Sequence, residues 1–471
     1  MTTFYIKQFG CRATQADGAA LERQLIERGC TSVRDASDAD IVVVNTCTVT
    51  ASADAQARDA IRKLHAANPR VRVIATGCYA QRAPEELSRL PGVAWVVGNS
   101  HKPQIPDLIE TISAPTEPAR SNGFFPLAAI FPASPAETRQ PAEILLGDIF
   151  DQQTLLSSPV FGGEGNHTRP TVKIQDGCNS RCSFCVIPFV RGKSRSLPPG
   201  TVIRELQKLS HAGYREIVLS GINLGTYGRD LSPRVEFEDL LRRILDETGV
   251  ERLRISSIEP MDVTQDLVEL FASTERLAQH FHMPLQSGSD RILSAMHRWY
   301  RAEHYARRVE LIRERLSHAA IGADVIAGFP GETEDDHAAT LAFIEALPFT
   351  YLHVFSYSKR PGTKAASLSD HVAGAVIKRR ARELRALGER KAVAFRQSQI
   401  GRSLRVLTLH PSEGRASTRT PALSSNYLPF MVDGVFPANQ WLDVKPSGWE
   451  GNCLIGQVSK FDFVPTSFQM R

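Results

Sequence analysis

No run of the 471-residue chain is long and apolar enough to span a bilayer. Residues Met1 to Lys7 read as a first strand, with no basic start followed by an apolar stretch. The expectation is a cytoplasmic protein without membrane attachment. An excess of one charge is also missing: 56 Lys and Arg against 51 Asp and Glu leave +5, which permits a polyanionic partner such as RNA without pointing to one. Cysteine is sparse, at eight residues. In a reducing compartment these are not expected to pair as disulfides, so their placement is read as metal or redox chemistry. The length suffices for about three domains.

Three of the thiols are grouped. Cys178, Cys182 and Cys185 are separated by three residues and then two, just after the strand-like run Thr171-Val172-Lys173-Ile174. A four-iron cluster usually takes four thiolates, so a three-cysteine site leaves one iron open for a small ligand. The plainer alternatives are a zinc site, which would want a fourth nearby Cys or His, and buried free thiols.

From Phe4 to about Lys102 short apolar runs alternate with helical stretches. The strands are Phe4 to Ile6, Ile41-Val42-Val43-Val44 and Val71 to Ile74; the helices run from about Gly18 to Gly29 and Ala53 to Ala67. Fully apolar strands between helices predict an α/β domain with a parallel sheet covered on both faces. Cys11, Cys47 and Cys78 each follow such a strand, and strand carboxyl ends form the ligand crevice of an open α/β sheet. They form a candidate second three-thiolate site. Cys30 and Cys453 lack that placement and are read as structural.

The Cys178/Cys182/Cys185 spacing resembles the CxxxCxxC signature of the radical S-adenosylmethionine (SAM) enzymes, whose open iron chelates the amino acid end of SAM. With Gly10-Cys11-Arg12-Ala13-Thr14-Gln15, Asn45-Thr46-Cys47-Thr48-Val49-Thr50 and Thr76-Gly77-Cys78-Tyr79-Ala80-Gln81, the chain resembles the methylthiotransferases over nearly its whole length. Val96-Val97-Gly98-Asn99 and the Thr76 to Gln81 run look most like the branch acting on N6-threonylcarbamoyladenosine beside the tRNA anticodon. Thr14 stands where that branch usually has Asn.

The resemblance implies two 4Fe–4S clusters, on Cys11/Cys47/Cys78 and on Cys178/Cys182/Cys185, with SAM as cofactor. At the second triad SAM would be cleaved to a 5'-deoxyadenosyl radical that takes hydrogen from adenine C2. The first would carry the sulfur that a second SAM methylates. Implied partners are the tRNA anticodon loop, an electron donor such as flavodoxin or ferredoxin, and a sulfur donor; a monomer is the default. Sibling activities on isopentenyladenosine in tRNA or on a ribosomal protein aspartate share all six cysteines. A non-catalytic RNA-binding iron–sulfur protein is the alternative of another class.

The expected order is an α/β methylthiotransferase domain (1–105), a Pro-rich connector (106–169), a radical SAM partial (β/α) barrel (170–396) and a small TRAM-like β-barrel (397–471). Within the connector only Phe124 to Phe131 and Ile144 to Phe150 are apolar enough to dock. By family match Gly221, Asn223, Ser257, Glu259, Gln286, Ser287 and Asp324 are expected around SAM, with His282 as scaffold. Arg191 is expected at the substrate rim. Lys378, Arg379, Arg380, Arg382, Arg385, Arg390 and Lys391 give the helix from about Val376 to Gln397 a cationic face that could meet RNA, and Tyr427 could stack on a base.

Overall fold

The computed structural model describes residues 2–113, 142–153, 155–163, 165–411 and 418–461. Its residues fall into two compact units, the first built mainly from the chain up to Gln152 and the second from Gln153 onward.

The first unit is a parallel sheet. Strands β1 (Thr3–Gln8), β2 (Thr31–Ser32), β3 (Ile41–Thr46), β4 (Arg72–Gly77), β5 (Val93–Val97) and β6 (Glu143–Leu145) lie in the order β2-β1-β3-β4-β5-β6. Every residue of β3 is buried, as a central strand covered on both faces requires. Val42, Val44, Val73 and Ala75 pack there against Ala57 and Ile61 of the helix Ala51–Ala67. The helix expected from Gly18 begins at Arg12, directly after Cys11. Its buried Ala13, Ala20, Leu21 and Leu25 extend the packed face past the glycine that propensity alone would take as a start. Of the two apolar connector pieces, Ile144 to Phe150 supplies β6 at the sheet edge and the turn Ile149–Asp151; Phe124 to Phe131 lies outside the described residues.

In the second unit, β7 (Val160–Gly163), β8 (Gly165–Lys173), β11 (Glu216–Ser220) and β12 (Arg252–Ile255) form a sheet in the order β12-β11-β8-β7. The short pair β9 (Gln175–Asp176) and β10 (Arg195–Ser196) brackets the cysteine loop. Strands β13 (His280–His282), β14 (Ala320–Ala327) and β15 (Tyr351–Ser356) are parallel neighbours. Bridges Leu253↔Leu277 and Ser257↔His282 join them to β12, so the strands make a partial barrel with helices outside. Its core includes Val172, Leu219, Ile255, Phe281, Ile321 and Leu384.

The C-terminal barrel is closed by β16 (Leu404–Thr408), β17 (Arg419–Ser424), β18 (Pro429–Asp433), β19 (Trp441–Glu450) and β20 (Cys453–Phe461) in the order β16-β17-β18-β20-β19. The sequence reading has no strand at β17, where Pro421 cannot donate to a ladder. The barrel rests on an ionic knot. Arg252 and Arg254 share the buried Glu216 carboxylate at 2.5 and 2.8 Å and donate to the carbonyls of Leu423, Ser424 and Ser425. Phe430 is barrel core, and the ring of Tyr427 stacks on His280 at 4.3 Å beneath Arg254. Most cations of the helix Gly374–Gln397 are also engaged: Arg379 and Arg380 with Glu334, Arg390 with Glu345, and Lys391 with backbone carbonyls. No helix among the described residues is long and apolar enough to cross a membrane.

Candidate functional site

Cys178, Cys182 and Cys185 occupy the loop between β9 and the helix Ile187–Arg191, partly exposed and free of disulfides. Gly177 makes the loop possible. It sits at φ +71°, and a Cβ there would lie 1.9 Å from the Lys193 carbonyl oxygen. Cys178 N–H donates to Gly192 O at 3.0 Å, and Gln175 Nε2 to Asp176 O, Gly177 O and Ser194 Oγ. The far side is held by Ser183, whose N–H donates to Met296 O and whose carbonyl accepts from Ala365 N–H.

Burial pushes the Cys182 thiol up, against the pull of Arg298. Burial, reinforced by Cys182 and Cys178, pushes the Cys185 thiol up to about 12. A metal cation placed among the three sulfurs would displace the thiol protons and bind the thiolates. His297, which touches this loop, has both ring nitrogens engaged, Nδ1 with Arg181 O and Nε2 with Lys364. The donor set therefore fits a three-thiolate cluster better than a four-coordinate zinc.

The residues expected around SAM lie on neighbouring strand ends. Gly221 brings the backbone against Gln175, where a Cβ would fall 2.9 Å from Oε1. Asn223 N–H donates to that oxygen at 2.8 Å, while Asn223 Oδ1 and Ser256 Oγ are buried without a hydrogen-bond partner among the described residues. Such orphaned atoms suit a polar ligand. Ser257 Oγ lies 3.2 Å from His282 Nδ1, His282 Nε2 lies 3.0 Å from Asp324 Oδ1, and His353 Nδ1 approaches the same oxygen at 3.3 Å. Burial alone would raise the Asp324 carboxyl, but the two imidazoles hold it well below the ordinary range.

Glu259 pairs with Arg298, and its carboxyl is raised by burial despite that cation. Gln286, at φ +67°, bridges by backbone to Asp324 and Ile326. Ser287 is buried against Thr340. Arg191 is buried, its Nη1 donating to both Asp176 oxygens at 3.0 Å. Sequence reasoning missed Gln175, Arg298 and His353, which lie outside any cysteine spacing; only their partners in space mark them.

In the first unit, Cys11, Cys47 and Cys78 follow β1, β3 and β4, which are adjacent in the sheet. Two glycines set the approach. A Cβ on Gly10 would lie 2.8 Å from Cys47 Sγ, and one on Gly77 would lie 2.3 Å from Thr46 O, both at strongly positive φ. Thr14 Oγ1 lies 3.7 Å from Cys11 Sγ, and Asn99 Nδ2 donates to Cys78 Sγ at 3.6 Å. The three cysteines thus follow the carboxyl ends of neighbouring strands, with polar groups beside Cys11 and Cys78.

Residues 3–98 match the uncharacterized protein family UPF0004, and residues 172–344 match the radical SAM superfamily. The chain is 35% identical over 426 residues to the threonylcarbamoyladenosine tRNA methylthiotransferase of Aquifex aeolicus, spanning 90% of this chain and 95% of that one. To the Bacillus subtilis protein of the same name it is 34% identical, spanning 93% and 91%. The tRNA-2-methylthio-N(6)-dimethylallyladenosine synthase of Syntrophobacter fumaroxidans is 34% identical over 427 residues, spanning 90% and 88%. Among solved structures, a radical S-adenosylmethionine methyltransferase of Kitasatospora setae aligns with TM-score 0.56 and 17% identity over 78% of this chain and 75% of that one, a likeness of fold.

Proposed function

The chain belongs to the radical SAM methylthiotransferases, and on that premise we propose that it replaces the C2 hydrogen of N6-threonylcarbamoyladenosine, beside a tRNA anticodon, with a methylthio group. The observation that carries the methylthiotransferase part of this reading is the presence in one chain of two three-thiol sites, each on strand-end loops shaped by glycine. The likeness of the run Val96 to Asn99 to that branch, and the identity of 35% and 34% to the two threonylcarbamoyladenosine tRNA methylthiotransferases, support the choice of base.

Cys178, Cys182 and Cys185 would hold the cluster that binds SAM, and Cys11, Cys47 and Cys78 a second cluster. When bound, the first cluster with SAM would supply the one-electron chemistry that removes hydrogen from a neutral aromatic carbon, a step closed to acid–base side chains, and the second would supply the sulfur. The side-chain Oδ1 of Asn223, buried without a hydrogen-bond partner among the described residues, suits the ammonium of SAM. Asp324, kept ionised by His282 and His353, offers an acceptor to an N–H of the bound ligand. The base must leave its stack to react, which costs little in a single-stranded loop. The reading calls for a low-potential electron donor such as flavodoxin or ferredoxin, a sulfur donor, and a monomer working in the cytoplasm.

The test is mass spectrometry of tRNA nucleosides from a strain lacking the protein, before and after restoring it, with Cys178→Ala as control. The expected result is that 2-methylthio-threonylcarbamoyladenosine vanishes and returns only with the intact chain. Loss of methylthio-isopentenyladenosine instead would move the substrate to the sibling tRNA reaction. No change in either would move it to protein.

A further inference from the structure

We propose that Arg298 is a positioning residue that raises the reduction potential of the cluster on Cys178, Cys182 and Cys185 by donating a hydrogen bond to the Cys182 sulfur, with Glu259 aiming its guanidinium. The inference rests on the reading that this triad holds a cluster.

Each nitrogen of the guanidinium has a partner. Nη1 donates to Cys182 Sγ at 3.2 Å, Nη2 pairs with the Glu259 carboxylate, and Nε lies 3.2 Å from the Tyr300 hydroxyl. Its carbon lies 4.9 Å from the centre of the Tyr300 ring, and the side chain is only 6% exposed. A long cation with three partners and no solvent has one orientation available.

The backbone that carries it is fastened to the cysteine loop. Ser183 N–H donates to Met296 O at 3.0 Å, Ser183 Oγ to Ala295 O at 2.8 Å, and His297 Nδ1 meets Arg181 O at 3.2 Å. His297 takes φ +58°, a left-handed turn after the helix Asp290–Ala295. The segment Ala295 to Arg298 is therefore a clasp over Cys182. Its three tethers hold the chain before Arg298 against the residues flanking Cys182, independently of the bond from guanidinium to sulfur.

An N–H donor and a positive charge at a ligand sulfur favour the more negative, reduced state of a cluster, which raises its potential. Glu259 works against this by neutralising the cation. Removing Arg298 and removing the Glu259 charge should therefore shift the potential in opposite directions. A purely structural role would produce no such sign reversal.

The experiment is an anaerobic redox titration of the reconstituted full-length chain followed by electron paramagnetic resonance. It is run with the Cys11 triad intact and again with Cys11, Cys47 and Cys78 each changed to Ala, so that the Cys182 cluster is read alone. At a fixed potential, Arg298→Met is expected to lower the reduced-to-oxidised ratio about tenfold, or about 59 mV for one electron. Arg298→Lys should recover part of the loss, and Glu259→Gln should raise the ratio above wild type. A wild-type ratio in Arg298→Met at equal iron content overturns the inference. Should that variant fail to hold iron, opposite shifts in Arg298→Lys and Glu259→Gln support the inference, and wild-type ratios in both overturn it. If the wild-type chain binds no iron at this triad, the cluster reading itself fails and takes this inference with it.

Discussion

Two glycines, Gly10 and Gly77, govern the triad Cys11, Cys47 and Cys78 at the scale of single residues. Gly77, at φ +100°, lies where a Cβ would stand 2.3 Å from Thr46 O, and it directly precedes Cys78. A Gly77→Ala change meets strain and backbone overlap together, at a cost of about 1–3 kcal/mol from the conformation alone. The expected outcome is loss of iron from the Cys11, Cys47 and Cys78 site while SAM cleavage at the other site persists, read by iron analysis and 5'-deoxyadenosine formation. Both glycines were visible in the sequence beside their cysteines, but not their need for positive φ. Arg191 was equally visible as a cation near the cluster loop, and the fold turns it onto Asp176.

Among the elements, pairing decides what composition leaves open. The helix Gly374–Gln397 reads in isolation as a basic face suited to RNA, yet Arg379 and Arg380 meet Glu334, more than forty positions away. Strand β17 was hidden by Pro421 and becomes a strand because β18 supplies its ladder. The knot under the barrel ties two elements through one buried carboxylate. Burial would raise the Glu216 carboxyl, but Arg252, Arg254 and Arg169 hold it far below the ordinary range.

A carboxyl whose folded pKa is depressed contributes its full stability above the unfolded value of about 4.3. That contribution erodes as pH falls below this value and is lost only once pH passes the lower folded pKa. Glu216→Gln leaves buried guanidinium groups without their counter-charge and should cost about 3–5 kcal/mol in urea unfolding at neutral pH. The gap between wild type and variant should stay constant down to about pH 5 and narrow below it.

Across the whole molecule, the two triads belong to different compact units, Cys11, Cys47 and Cys78 to the first and Cys178, Cys182 and Cys185 to the second. Each should load without the other. The full chain with the first three cysteines changed to Ala is expected to keep about four irons and to cleave SAM. The chain with the other three changed should keep about four irons and cleave none. Loss of both clusters from either variant would show that the sites are not independent.

The sequence by itself determined the chemistry: six thiols at set spacings and strand ends, within a strand–helix alternation that allows few folds. Those features are local, because covalent spacing and hydrophobic period act over a few residues. The tertiary structure alone decided which polar groups attend the thiols and which charges are spent elsewhere. Arg298 reaches Cys182 across 116 positions, and Asp324 lies 42 positions from His282. A hydrogen bond requires donor and acceptor within about 3 Å, and only the folded chain brings residues so distant in sequence that close.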